Sequence, residues 1–230
     1  MAFLMPYIMA ILIMMGTFFA SGYLMVSISQ EKESRTIEIL LSSARPFPLL
    51  VGKVLASGAL GLLQIAFTMI VLWQLAPRAA TQIAALAGLE VPFHLVAVGL
   101  VYFLGGYLLI GGLYAGVAAV APKMQDAQQF VGFMVLPFVL PMIFLTEFMT
   151  SPNGGLAVFL SMFPITAPLG MTMRLSLTSV PLIEIIVSLV LLAITAVASI
   201  WFAARLFRVN TLLAGQAPRV RDLVRLVREG

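Results

Sequence analysis

Long uncharged apolar runs alternate with short polar stretches along this chain, and that alternation organises everything else. Residues 1–28 form a first run, well beyond the ~20 residues a bilayer core requires. Further runs cover 54–76, 93–121, 130–146 and 182–204. Small residues lie within them at helix-contact spacing: Gly16, Ala20, Ser21 and Gly22 in the first, Ser57 and Gly61 in the second, Gly112 and Gly116 in the third. Pro137 and Pro141 are expected to interrupt the fourth. Between residues 147 and 181 the pattern is broken by Pro152, Asn153, Gly154, Gly155, Pro164, Pro168 and Gly170. That region reads either as a sixth crossing or as two short helices that dip in and return. Irregular backbone at membrane depth requires burial in protein or a cavity wall.

The polar segments differ in kind. Gln30–Lys53 is the densest charged stretch between two spans. Glu31 and Arg35 are spaced to meet on one helix face. Ile37, Leu40, Leu41 and Ala44 form an apolar stripe, and Pro46 and Pro48 are expected to end the helix. An amphipathic helix over 30–45 follows, with Lys53 closing the loop. Residues 122–129 read as a short polar loop, and 207–230 as a basic tail whose segment from Arg219 to Arg228 suits an anionic lipid surface.

Charge then chooses between five and six crossings. With residues 148–180 re-entrant, the 30–53 loop, the 122–129 loop and the tail share a side. Together they hold Lys32, Arg35, Arg45, Lys53, Lys123, Arg205, Arg208, Arg219, Arg221, Arg225 and Arg228, which is 11 of the 13 basic residues. Only Arg78 and Arg174 fall elsewhere. A sixth crossing moves the tail's arginines outside and destroys the bias. The positive-inside rule favours five spans, N-terminus out and C-terminus in. An external N-terminus without a charged leader suggests that a further span precedes this chain in a longer protein.

Composition agrees and excludes several activities. Of 230 residues, 62% are hydrophobic and 10% charged, with a mean hydropathy of +1.11. The class is an all-α polytopic membrane protein: five transmembrane helices, an extracytoplasmic re-entrant helical hairpin and a cytoplasmic amphipathic helix over 30–45, which the resemblance named below makes a coupling helix. There is no cysteine, so thiol catalysis and thiolate metal sites are excluded. His94 is the single histidine and has no ligand cluster beside it in sequence. No G-x-x-x-x-G-K-[ST], HExxH or G-x-S-x-G motif occurs. The net charge of +4 reflects the loop bias rather than nucleic-acid binding. Almost no ionisable group lies in a span, against a carrier built on buried carboxylates. Glu147 and Arg174 flank the 148–180 region, spaced to pair at an outer gate or simply to reach water. Pro164, Thr166, Pro168 and Met171 would shape that gate, or else a packed kinked hairpin. Gln64 would bond across helices, and Glu184 would reach the interface.

Three strings in order carry a family resemblance. EKESRTIEILLSSARPFPLLVGKVL, from Glu31, resembles the segment after the second span of type-2 ABC exporter permeases. FPITAPLGMTMR, Phe163 to Arg174, resembles the extracytoplasmic region of their sodium-efflux-like branch. ARLFRVNTLLAGQ, Ala204 to Gln216, resembles that branch's ending, with Asn210 in place of glycine and Gln216 in place of lysine. The resemblance implies the membrane part (1–206) of an exporter permease, here the C-terminal part of one, in a bacterial inner membrane. Glu31, Glu33, Arg35, Glu38, Leu40, Leu41 and Lys53 would contact a separate ABC ATPase, which would bind ATP and Mg. This chain would bind no cofactor and would pair with a second permease, identical or not, in membrane lipid. The rival classes are a secondary transporter or channel and a non-transporting scaffold. For the 30–45 helix the rival is an interfacial helix lying on lipid headgroups, against which its glutamates count.

Overall fold

The computed structural model describes residues 4–34, 46–80 and 92–212. Helices are α1 (Leu4–Glu33), α2 (Pro46–Ala80), α3 (Phe93–Val120), α4 (Met124–Ile143), α5 (Leu145–Thr150), α6 (Gly155–Met162), α7 (Ala167–Leu177) and α8 (Leu182–Leu212). No strand occurs among the described residues. Five stretches are long and apolar enough to cross a bilayer: Pro6–Glu33, Val51–Leu75, Phe93–Val120, Met124–Thr150 and Leu182–Leu206.

The central helix is α3, packed against α1, α2, α4, α7 and α8. Its sequence is apolar on every side, as a helix buried inside a bundle must be. Tyr102, Phe103, Tyr107 and Ile110 fill the core around it. Small residues set the close contacts. A Cβ on Gly112 would lie 3.0 Å from the backbone nitrogen of Ile200, so α3 and α8 touch through their main chains. Gly116 faces Ala203 one turn on. The predicted patch on α1 meets the predicted patch on α2: a Cβ on Gly61 would fall 2.8 Å from the Ala20 methyl and 3.3 Å from the Gly16 carbonyl. Gly22 faces open space and takes no part.

The contacts fix helix direction. Gly99 meets Met9, Gly111 meets Leu24, and Lys32 reaches Ala119, so α1 and α3 run parallel. Gly105 meets Leu192, Gly112 meets Ser199 and Gly116 meets Leu206, so α3 and α8 are parallel too. Helix α2 is antiparallel to α1, since Lys53 reaches Ser27 while Gly61 reaches Gly16. Helix α4 follows α3 after three residues and returns antiparallel. The chain therefore enters 145–181 and leaves it at the same end of the bundle, and the described residues hold five spans.

Several boundaries differ from expectation. Pro46 and Pro48 open α2, which begins at Pro46 where the apolar run starts only at Val54; proline suits a first helical turn, where its missing N–H is no loss. Residues 30–33 are the last turn of α1, and 35–45 lie outside the described residues. Helix α4 begins at Met124, not Phe130, and runs through Pro137 and Pro141 before breaking at Phe144. Two short helices, α6 and α7, lie between residues 151 and 181, and α5 extends the fourth span past its break at Phe144.

Candidate functional site

Two constellations stand at opposite ends of the bundle. At the end carrying most basic residues, the last turn of α1 binds three other elements. Lys32 Nζ donates to the carbonyls of Ala119 and Ala121, both at 2.8 Å. These carbonyls stand at the C-terminal end of α3, where a cation complements the helix dipole. The next residue does the reverse. Glu33 Oε1 accepts the Met124 backbone N–H at 2.7 Å. That amide opens α4, whose own N-cap residue, Lys123, supplies no side-chain cap. Consecutive residues of α1 thus cap the end of one helix and the start of the next, each with the charge that the local dipole favours.

Beside them, Lys53 Nζ pairs with Glu31 Oε2 at 2.6 Å and donates to Ser27 Oγ at 3.0 Å and to the Ser27 carbonyl at 3.2 Å. This ties the start of α2 to the end of α1. Of the predicted coupling residues, Glu31, Glu33 and Lys53 come together here. Arg35, Glu38, Leu40 and Leu41 lie outside the described residues, as does the predicted Glu31–Arg35 pair.

At the other end, α6 and α7 form a hairpin wedged between α1, α3 and α8. Its turn is deep: Pro168, in the first turn of α7, packs on Gly106, the midpoint of α3, where a Cβ would fall 2.9 Å from the proline ring. From there α7 climbs 11 residues, roughly 16 Å, to the bundle end. Gly170 permits the tight return, since a Cβ there would lie 2.7 Å from the Leu160 carbonyl oxygen. The Thr166 hydroxyl donates to Leu160 O at 2.6 Å and Phe163 O at 3.1 Å, closing the turn that contains Pro164. Met171 is fully buried.

Arg174, at the top of α7, is 2% exposed and its guanidinium has four partners. Nε donates to Pro152 O at 2.8 Å, and Nη2 to Asn153 Oδ1 at 2.9 Å. Nη1 reaches Ser161 Oγ at 3.3 Å and forms an ion pair with Glu184. The expected Glu147–Arg174 pair is therefore replaced by Arg174–Glu184. Glu147 sits instead beside the turn at Gly154. Glu184 was expected to reach the interface; it is three-quarters covered and anchors Arg174 to the first turn of α8. The charge was visible in the sequence, but its partner depends on where α8 enters the bundle. The Ser188 hydroxyl adds a second tie, donating to Ser161 O at 2.9 Å. Among the described residues no group of three or more His, Cys, Asp or Glu residues could hold a metal ion.

A five-span bundle with a charge-clasped end and a helical hairpin inserted at the other defines a polytopic membrane protein. The chain belongs to the ABC-2 family of transporter proteins, which it matches over residues 2–205. It is 30% identical over 224 residues to the uncharacterized protein MJ1024 of Methanocaldococcus jannaschii, covering 97% of this chain and 54% of that one. It is 25% identical over 228 residues to the uncharacterized protein YhaP of Bacillus subtilis, covering 96% and 54%. The chain thus spans about half the length of these relatives. No solved structure matches it.

Proposed function

We propose that the chain is the membrane-spanning part of an ATP-driven exporter permease, with the clasped end in the cytoplasm and the hairpin facing outward. The 30–53 segment is the one on which a separate ABC ATPase, which binds ATP and Mg, pushes, and a second permease completes the pathway. The observation that carries this reading is the clasp. Both ends of the 30–53 segment, at Glu31 and Lys53, are joined to each other, and through Lys32 and Glu33 to the α3–α4 turn. A push on that segment is delivered at once to α1, α2, α3 and α4. Because α3 runs beside α8 and the hairpin rests on the middle of α3, displacement at one end reaches the other through packed helices. The hairpin residues Pro164, Thr166, Pro168, Met171 and Arg174 then form the outer closure, and Arg174–Glu184 latches it to α8. Glu147 borders that closure without joining the latch. Placement in the sodium-efflux-like branch rests on the Phe163–Arg174 string.

The test uses the absence of native cysteine. Ser43→Cys bearing a photo-crosslinker, in the membranes of its own host, is expected to capture an ABC ATPase subunit, while Thr150→Cys captures none. Lipid as the only adduct at Ser43 would overturn the coupling role and favour a carrier or scaffold.

A further inference from the structure

An apolar cavity of about 350 Å³ opens at the clasped end between α3, α4 and α8. Leu113, Val117 and Val120 of α3, Phe130 and Met134 of α4 and Leu206 of α8 line it. No polar side chain among the described residues contributes to the wall. At roughly 30 Å³ per group, taking a water's share of liquid volume as the measure, it has room for about ten methylenes. The size and lining suit a single acyl chain.

The surroundings point to where that chain comes from. Lys123 is exposed in the connection that closes one end of the cavity, adjacent to the lining residue Pro122. Arg205 precedes Leu206 and stacks on Trp201 at 4.1 Å, an aromatic-cation pair of the kind found at bilayer interfaces. Lys32 is fixed on the Ala119 and Ala121 carbonyls at the same level. Among the described residues Glu33 and Asp126 are the acidic residues beside the α3–α4 connection, and Glu33 is engaged at the Met124 amide. An apolar wall with Lys123 next to its Pro122 and Arg205 next to its Leu206 matches the two halves of an anionic phospholipid. Helix α4 has the matching deficiency: 11% of its span is buried inside the chain, against 44% for α3.

We infer that the α3–α4–α8 cavity binds one acyl chain of an anionic membrane phospholipid, whose headgroup phosphate is held by Lys123 and Arg205. The lipid completes the packing of α4 beside the clasp. The inference rests on the membrane placement of the bundle and not on ATP coupling, so it stands or falls separately from the export reading.

The experiment places the purified chain in nanodiscs of mixed phosphatidylcholine and phosphatidylglycerol, with a diazirine on the acyl chain of either lipid. Phosphatidylglycerol is expected to label the peptide holding Phe130 and Met134 saturably, with a preference of about fivefold per engaged cation. Val120→Trp, which fills the cavity, is expected to cut that labelling about tenfold while labelling at Phe67 on α2 is unchanged. Lys123→Gln with Arg205→Gln is expected to keep labelling but lose the preference, and Lys123→Arg to retain it. Should Val120→Trp not fold, the Lys123 and Arg205 variants test the site alone. Non-saturating labelling, equal for both lipids and indifferent to all variants, would show bulk lipid only and overturn the proposal. So would crosslinking of Phe130 to a second copy with no lipid labelling there.

Discussion

At the residue scale, Arg174 shows how environment changes the meaning of a charge. In the sequence it is one of two basic residues on the wrong side of the bias. In the structure it organises the 152–153 turn, α6 and α8 at once. Removing one partner of a buried ion pair leaves the other charge uncompensated, which costs about 3–5 kcal/mol where both are deeply buried. Arg174 is 2% and Glu184 25% exposed, so the cost falls on the two unequally. Arg174→Met, which leaves Glu184 partly solvated, is expected to destabilise by about 3 kcal/mol, and Glu184→Gln, which strands the buried guanidinium, by more, about 4 kcal/mol. The double variant is expected to cost clearly less than the sum, as thermal unfolding of the purified protein would read out. Additive losses would mean that the two side chains do not depend on each other. The position of Arg174 was legible from its string; its partner was not, because Glu147 and Glu184 are both plausible by spacing.

At the element scale, helix limits proved harder to read than helix existence. The apolar runs alone located all five spans. The start of α4 escaped because local sequence holds no N-cap: Lys123 cannot accept an amide proton, and the acceptor comes from Glu33, 91 residues earlier. Helix α2 likewise begins ahead of its apolar run, since a proline in the first turn opens a helix as readily as a proline further on ends one. The distant caps lead to a direct expectation. Glu33→Gln and Lys32→Met should each cost about 1 kcal/mol, in the range of cap deletions. Faster amide hydrogen exchange should be confined to residues 119–127, with the middle of α3 unaffected. Uniform acceleration along α3 would instead indicate a loss of general packing. If the clasp transmits force, both variants should also lower transport more than stability.

At the scale of the whole molecule, parallel α1, α3 and α8 require that 145–181 return to its own end. This is checked without any transport assay. Single cysteines at Ser34 and Lys123 are expected to react with an impermeant maleimide from one side of sealed vesicles, and those at Thr150 and Ser179 from the other. Reaction of Lys123→Cys and Ser179→Cys from the same side would refute the five-span arrangement. The same architecture explains why the hairpin residues form a group. Pro168 meets Gly106 only because α7 starts at mid-bundle, and neither the proline nor the glycine announces that depth in sequence.

The amino-acid sequence by itself determined the membrane class, the five spans, the sidedness bias of the basic loops and the small-residue faces on α1, α2 and α3. These follow from periodicity, length and charge, which act locally or sum along the chain. The strings at Glu31 and Phe163 also announced the ABC-2 family. Tertiary structure alone decided which charges pair, where α4 begins, how deep the hairpin turn lies and that a cavity remains between α3, α4 and α8. Each depends on contacts between residues far apart in the chain. Lys32 with Ala119, Glu33 with Met124, Lys53 with Glu31 and Arg174 with Glu184 are set by helix direction and register, which no single stretch of sequence encodes.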